Sequence, residues 1–417
     1  MSDGLDEQEA GKGKLLPAWS GQTKFFPQPR GTSRPTMMAV SLIAIAVLTA
    51  GAYAATPTPL DQAHVDALIA DCEVQQKADA CTELLTARLP FKKQQIASIY
   101  ALRGSARQSA GDLKGALEDY DQALRVEPKL TQVYLTRGAL YLNGGEPQKA
   151  ADDFGRFINA SPGASEGYYN RGLAFRALNR CGRAVSDFQQ TLKLDERFAE
   201  AAYQKGVCEH ALSQLEQAMA SYDLALSIRP DFVDALVNRG AAGLKLGRAV
   251  KAEQDFKEAL SLNPKNLLVS YNLGRVYVDL GRLDDAIEQF SQTLLIEPAH
   301  RLALYNRGIA YFEQKKGEQA LADLDAVIRM SEANASQLNG SPTGINYDLS
   351  DFSSQNGVLA SEAALASAYL KRGMLYHLNG SFDLAIADYD KAAKFNPDLK
   401  DTAPLRGKAQ RLEKLTW

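Results

Sequence analysis

The sequence is poor in the residues that build metal and redox sites. Its 417 residues hold four cysteines and four histidines, too few and too scattered for a zinc scaffold. An excess of one charge sign is lacking too: 47 Lys+Arg against 50 Asp+Glu leave −3. No basic field advertises nucleic acid, and no acidic run forms a tail. Long apolar runs are absent after residue 55, which excludes a polytopic membrane protein. Catalytic patterns are absent as well. There is no H-E-x-x-H, no G-x-S-x-G, no G-x-x-x-x-G-K-[ST] and no paired C-x-x-C. His64, His210, His300 and His377 are isolated and read as surface or groove residues rather than bases. An enzyme is therefore not expected, nor is a metal or a cofactor. What is present, 45% hydrophobic with 23% charged residues, belongs to a folded chain. At this length a single core has stopped growing, so several domains or a repeat array are expected.

Residues 1–36 are polar and rich in Gly, Pro, Ser and basic residues, which predicts a disordered leader. Met37–Ala55 then runs without a charge. Lys24, Arg30 and Arg34 precede it, and the next basic residue is Lys77. This asymmetry places the leader in the cytoplasm and the rest outside. Two readings stay open. The stretch is just long enough for an uncleaved anchor; it also ends in Ala52-Tyr53-Ala54, a small-x-small pattern suited to cleavage after Ala54. The expected location is accordingly an inner membrane, facing the periplasm, or the periplasm or exterior if cleaved. Residues 56–96 read as a stiff linker carrying Pro57 and Pro59, followed by a helical cap over Leu60–Ala70 and Ala78–Arg88.

Internal periodicity dominates the chain from residue 97 onward. Glycines stand at 104, 138, 172, 206, 240, 274 and 308, each 34 residues after the last, and an eighth at 373 after an insertion. Twelve residues past each lies alanine: 116, 150, 184, 218, 252, 286, 320 and 385. Sixteen past each lies a large ring or leucine: Tyr120, Phe154, Phe188, Tyr222, Phe256, Phe290, Leu324 and Tyr389. Twenty-four past each lies proline, except at Glu196 and Glu332. Glycine inside a helix costs about 1 kcal/mol against alanine, so eight at one register imply a close helix–helix approach. The alanines supply the small facing residue, the rings fill the space beside it, and the prolines stop the second helix. Further glycines at 111, 145, 247, 281 and 380 mark the turn between the helices.

The pattern resembles the tetratricopeptide repeat family, for example in Tyr305-Asn306-Arg307-Gly308 followed by Ala320. The resemblance covers residues 97–334 as units one to seven and 366–399 as unit eight. It implies an all-α, right-handed superhelix of helix–turn–helix hairpins, which the uncharged stretch 37–55 places behind an N-terminal transmembrane or signal helix. Arg107, Glu209 and Gly243 stand where an aromatic is expected, so units one, four and five should pack less tightly. Residues 335–365 are a Ser/Asn/Gly-rich insertion, expected as a solvated loop, with the apolar pieces Ile345–Phe352 and Val358-Leu359. Within 400–417 a capping helix is expected from Pro404 to Leu415, with Asp401 or Thr402 as its cap. Cys72 and Cys81 are disulfide candidates if the chain is exported; a bridge between Cys181 and Cys208 is left open.

Comparing the units with one another gives a contact. The residue before the glycine is Arg in units one, two, three, five, seven and eight, and in the same six units Asp stands fifteen after it. Both departures coincide: Lys205 with Ser221, and Leu273 with Gln289. Each Arg is expected to meet its Asp as a two-pronged pair, fixing geometry more than adding stability.

Function should lie on the inner face. Two residues before the glycine is about 200° around the helix from the hairpin contact. That column reads Leu102, Thr136, Asn170, Gln204, Asn238, Asn272, Asn306 and Lys371. A carboxamide both donates and accepts, which suits an extended peptide backbone. The family resemblance implies the same use for Asn170, Asn238, Asn272 and Asn306 and, by analogy, Gln204. Hydrogen bonding between units is the alternative. Beside this ladder Leu173, Val207, Val278, Ile309 and Phe312 form an apolar strip, with inter-unit packing as its alternative. The expected function is a non-catalytic scaffold whose groove binds peptide segments of an envelope or exported partner. The alternatives are an accessory subunit recruiting an enzyme of envelope or polysaccharide assembly, and a self-associating structural oligomer.

Overall fold

The computed structural model describes residues 62–87, 89–337 and 359–417. The leader and residues 37–55 lie outside them, as do 338–358. Every regular element among the described residues is a helix; none of these is long and apolar enough to cross a membrane. The chain divides into two compact bodies, which meet in sequence at Ala235 and Leu236.

The first body starts with a hairpin of α1 (Gln62–Glu73) and α2 (Ala78–Thr86). A disulfide joins Cys72 to Cys81, with the Cα atoms 5.0 Å apart. Val65, Leu68, Leu84 and both cysteines pack onto Ile99 and Leu102 of the next helix, so an apolar Leu102 at a ladder position is consumed by the cap. The α2 helix ends two residues before the expected Arg88. Four hairpins follow: α3 (Lys93–Ser109) with α4 (Leu113–Val126), α5 (Thr131–Asn143) with α6 (Pro147–Ala160), α7 (Ser165–Ala177) with α8 (Cys181–Leu194), and α9 (Ala199–Ala211) with α10 (Leu215–Ile228). The second body carries four more: α11 (Val233–Lys245) with α12 (Ala249–Leu262), α13 (Leu267–Asp279) with α14 (Leu283–Ile296), α15 (Arg301–Glu313) with α16 (Gly317–Gln337), and α17 (Leu359–Leu378) with α18 (Phe382–Phe395). A last helix, α19 (Thr402–Gln410), packs on α18.

The glycine column has a direct cause. A Cβ added at Gly138, Gly172 or Gly274 would lie 2.8, 2.7 or 2.6 Å from the ring of Phe154, Phe188 or Phe290. No carbon pair tolerates that approach, so the ring sixteen residues on dictates glycine. At Gly308, where the partner is Leu324, the nearest atoms are 3.2 Å or more away, and the demand is weaker.

The helix stops differ in part from expectation. With Glu196 in place of proline, α8 still ends at Leu194: Asp195 Oδ1 accepts from the Arg197 N–H at 3.0 Å, an Asx turn that does the work of proline. With Glu332 in place of proline, α16 runs on to Gln337, and α17 begins at Leu359. Both edges of the expected loop 335–365 are therefore helical. In the turns Asn179, Ser213 and Lys315 adopt the left-handed conformation that glycine takes in the other five units. The α19 helix begins earlier and ends sooner than expected. Asp401 offers no side-chain cap, and Leu412 turns left-handed at φ 59°. The Glu413 N–H then bonds back to the Lys408 carbonyl, closing the helix.

All six Arg–Asp pairs are present. Arg307 Nε and Nη2 each lie 2.8 Å from an oxygen of Asp323, and Arg103, Arg137, Arg171, Arg239 and Arg372 repeat the two-pronged geometry. The aspartates are buried, so these pairs differ from exposed ones, which contribute little. The third guanidinium nitrogen reaches back to the preceding hairpin: Arg137 to Asp121 at 2.6 Å, Arg307 to Ser291 at 3.0 Å, Arg372 to Asp325 at 2.6 Å. One arginine thus ties three helices. Arg406 of α19 takes the same step onto Asp390 at 2.5 Å.

In units one and four the residue that replaces the aromatic takes up polar partners. Arg107 adds a second guanidinium to Asp119 at 2.9 Å. In unit four, Lys205 bonds Ser221 at 3.0 Å and Glu209 at 2.9 Å, while the Ser221 hydroxyl donates to Glu209 at 2.6 Å. The acid missing at 221 is supplied by Glu209, the residue that replaces an aromatic. In unit six a buried Leu273 takes the arginine's place without charge.

Candidate functional site: the carboxamide face of the first helices

Ring contact on one side of each first helix leaves the residue two before the glycine on another side. In the first body these residues are Asn170 and Gln204. In the second they are Asn238, Asn272 and Asn306. All but Asn272 are half-buried.

Their amides are not equivalent, which corrects the picture of a uniform ladder. Asn170 Nδ2 donates to the Glu166 carbonyl of its own helix at 2.8 Å. Asn306 Nδ2 donates to the Tyr271 hydroxyl of the preceding hairpin at 3.1 Å, the inter-unit role that was the alternative to peptide binding. Tyr271 is itself set by the His300 ring at 5.1 Å and Phe290 at 5.9 Å. Gln204 Oε1 is buried and has no partner among the described residues. Asn272 is 0% exposed, and neither its Nδ2 nor its Oδ1 is paired there. A buried carboxamide without partners costs about 1–3 kcal/mol, so α13 holds recognition capacity that its own fold does not use.

The apolar strip divides as well. Leu173 is buried in the core formed with Phe188, Ala201 and Cys208 and belongs to packing. Val278 is 39% exposed, and Val207 and Ile309 are half-buried. Phe312 is 7% exposed because the chain's own end covers it: the Trp417 ring lies 5.4 Å away, and Lys371 Nζ stands 4.3 Å from the Phe312 ring centre on another side.

Two of the four histidines need correction, for they are buried. His377 is fully buried, with ring nitrogens 3.1 Å from the Tyr389 hydroxyl and 2.6 Å from the Glu413 carbonyl. His300 is buried and caps α15, its Nδ1 accepting from the Ala303 N–H at 3.1 Å; burial lowers its pKa. His64 contacts Glu83 at 3.1 Å. Cys181 and Cys208 are unbridged. A hydrogen bond from Cys208, then the nearby Arg176 charge, hold the Cys181 thiol down at about 7. Among the described residues no group of three or more His, Cys, Asp and Glu could hold a metal.

Repetition of one hairpin with donor-and-acceptor side chains on a face away from the hairpin contact defines an all-α repeat scaffold for protein–protein interaction. Family models for the tetratricopeptide repeat match residues 102–165, 169–231, 243–305, 302–330 and 366–399, well over half of the chain, and the chain belongs to that family. One solved structure agrees on the fold, and two others are alike in sequence over part of the chain. The C-terminal part of a repeat-containing protein from Cytophaga hutchinsonii is 14% identical with a TM-score of 0.52, covering 65% of this chain and 98% of its own. MamA is 26% identical with a TM-score of 0.38, covering 39% and 95%. YrrB, described as a TPR protein with an unusual peptide-binding site, is 23% identical with a TM-score of 0.41, covering 46% and 97%. Comparison with curated proteins finds no match.

Proposed function

We propose that the chain is a non-catalytic scaffold, exported across or tethered to an inner membrane, that holds extended peptide segments of an envelope or exported partner. The observation that carries the reading is Asn272: a buried carboxamide with donor and acceptor both unpaired, on the face where Asn306 also lies. An extended backbone offers both a carbonyl and an N–H at each residue, and one peptide unit would satisfy the donor and the acceptor of Asn272 together once that buried side chain turns outward to meet it. No side-chain identity is required for that contact, and the neighbouring Ile309 adds apolar surface. Export is supported by the Cys72–Cys81 disulfide, since such bonds persist in oxidising compartments, and by the uncharged stretch 37–55 behind a basic leader.

The test is a photo-reactive residue at position 278, an exposed residue of α13, in the full chain in its native envelope. The reading expects a discrete cross-linked partner attached through an extended segment. Cross-linking only to a second copy of the chain would favour the self-associating oligomer instead, and no cross-link at all would count against the face.

A further inference from the structure

Beyond α19 the chain makes an abrupt turn and lies down on the body it has just completed. Leu412 adopts φ 59°, and residues 413–417 are non-helical. Several contacts hold this segment. The Glu413 carbonyl sits 2.6 Å from His377 Nε2. A carbonyl can only accept, so Nε2 carries the proton, and Nδ1 accepts from the Tyr389 hydroxyl at 3.1 Å. The histidine is thereby locked as a donor to a peptide carbonyl. Next, the Lys414 side chain reaches the turn glycine Gly380, its Cε lying 3.8 Å from where a Cβ would stand there. Finally the Trp417 ring meets Phe312 at 5.4 Å, on a ring that also faces the Lys371 ammonium.

These partners belong to the candidate face. Phe312 closes the apolar strip of unit seven, and Lys371 occupies the ladder position of unit eight. The arrangement is that of a bound peptide: a non-helical segment, one backbone carbonyl held by a fixed donor, and one aromatic anchor against an aromatic wall. The hold is slight. Trp417 remains 49% exposed and Leu412 67% exposed. Terminal segments with few buried contacts open at low cost.

We propose that Arg411–Trp417 is an internal ligand of a peptide site formed by Phe312, Lys371 and His377. The site takes a peptide that carries an aromatic residue, and such a peptide displaces the segment. The proposal rests on the reading of this face as peptide-binding and names the chemistry of what binds at its C-terminal end. An incoming chain must offer a carbonyl to His377 and seat a ring on Phe312. The resident segment raises the affinity that an incoming peptide needs, because the free site is populated only while the segment is open.

The experiment uses the full chain with Leu412–Trp417 deleted and a fluorescent peptide of sequence Arg-Leu-Glu-Lys-Leu-Thr-Trp, followed by anisotropy. Expected are saturable binding to the deleted chain, loss of it when the peptide tryptophan is replaced by alanine or when the chain carries Phe312→Ala, and at least tenfold weaker binding to the intact chain. Equal binding to intact and deleted chains overturns the proposal, as does no binding to a deleted chain of unchanged helicity. Should deletion unfold α17 and α18, the decision passes to a milder variant. The single change Trp417→Ala then gives an independent check: it must strengthen peptide binding tenfold over the intact chain. A permanently unfolded probe, reduced and carboxymethylated α-lactalbumin, separates the two readings. If it binds where the tail peptide does not, this proposal fails and the peptide face stands; if neither binds, both fail.

Discussion

At the scale of single residues, stability turns on what each side chain is denied. Asp323 is buried and held by both prongs of Arg307. Removing the arginine leaves a buried carboxylate uncompensated, so Arg307→Ala should destabilise the second body by about 3–5 kcal/mol, while Arg307→Met with Asp323→Leu should recover most of that loss. Denaturant unfolding of the three variants checks it. His300 carries a pH dependence with a definite sign. Burial lowers its pKa from the usual 6.5, so the unfolded chain takes up the proton first. Its contribution is therefore whole above about pH 6.5 and fades as pH falls through the folded value. Protonation also ends the bond from the Ala303 N–H. His300→Asn keeps an N-cap acceptor that does not titrate, so unfolding midpoints between pH 7 and 5 should fall less steeply in that variant. Lys315 sits at φ 60°, a conformation that costs an L-residue about 1–2 kcal/mol. Lys315→Gly should stabilise by roughly 0.5–1 kcal/mol after glycine's extra chain entropy is subtracted, as a raised midpoint in thermal melts would register.

At the scale of the hairpin, the glycine and the ring sixteen residues later are one device. Gly240→Ala would put a Cβ 2.9 Å from Phe256. Overpacking of this kind costs about 1–3 kcal/mol, more than the helix propensity of alanine returns. Gly308→Ala meets a leucine side chain and Asp323 Cβ at 3.2–3.3 Å, and the roughly 1 kcal/mol gained by alanine in a helix should bring it near neutrality. Equal losses in the two variants would contradict the ring as the cause. This device was legible in the sequence because it recurs: a period of 34 residues puts eight copies of each contact side by side, and the paired departures at units four and six pointed to the Arg–Asp contact. Features that occur once were not legible. The compensation of Ser221 by Glu209 needs the geometry of three side chains. The Asx turn at Asp195 stands in for a proline that the column lacks. The burial of His377 depends on Glu413, which lies outside the repeat and has no column to reveal it.

At the scale of the whole molecule, the candidate site was legible as a column of carboxamides but not in its division of labour. Period and spacing put Asn170, Gln204, Asn238, Asn272 and Asn306 at one register of their helices. They could not tell that Asn170 bonds its own helix, that Asn306 bonds Tyr271, or that the chain's last residue covers Phe312, because those contacts depend on what lies next to each amide rather than on its phase. Asn272 of α13 is left with both its donor and its acceptor unpaired among the described residues. The central claim is that this capacity is for an extended peptide. Binding of reduced, carboxymethylated α-lactalbumin to the full chain, measured by calorimetry, tests it most directly against Asn272→Ala with Asn306→Ala. A peptide-binding α13 predicts at least a tenfold loss of affinity, about 1.4 kcal/mol, with the helical circular dichroism unchanged. Unaltered affinity in a fully helical double variant would contradict it.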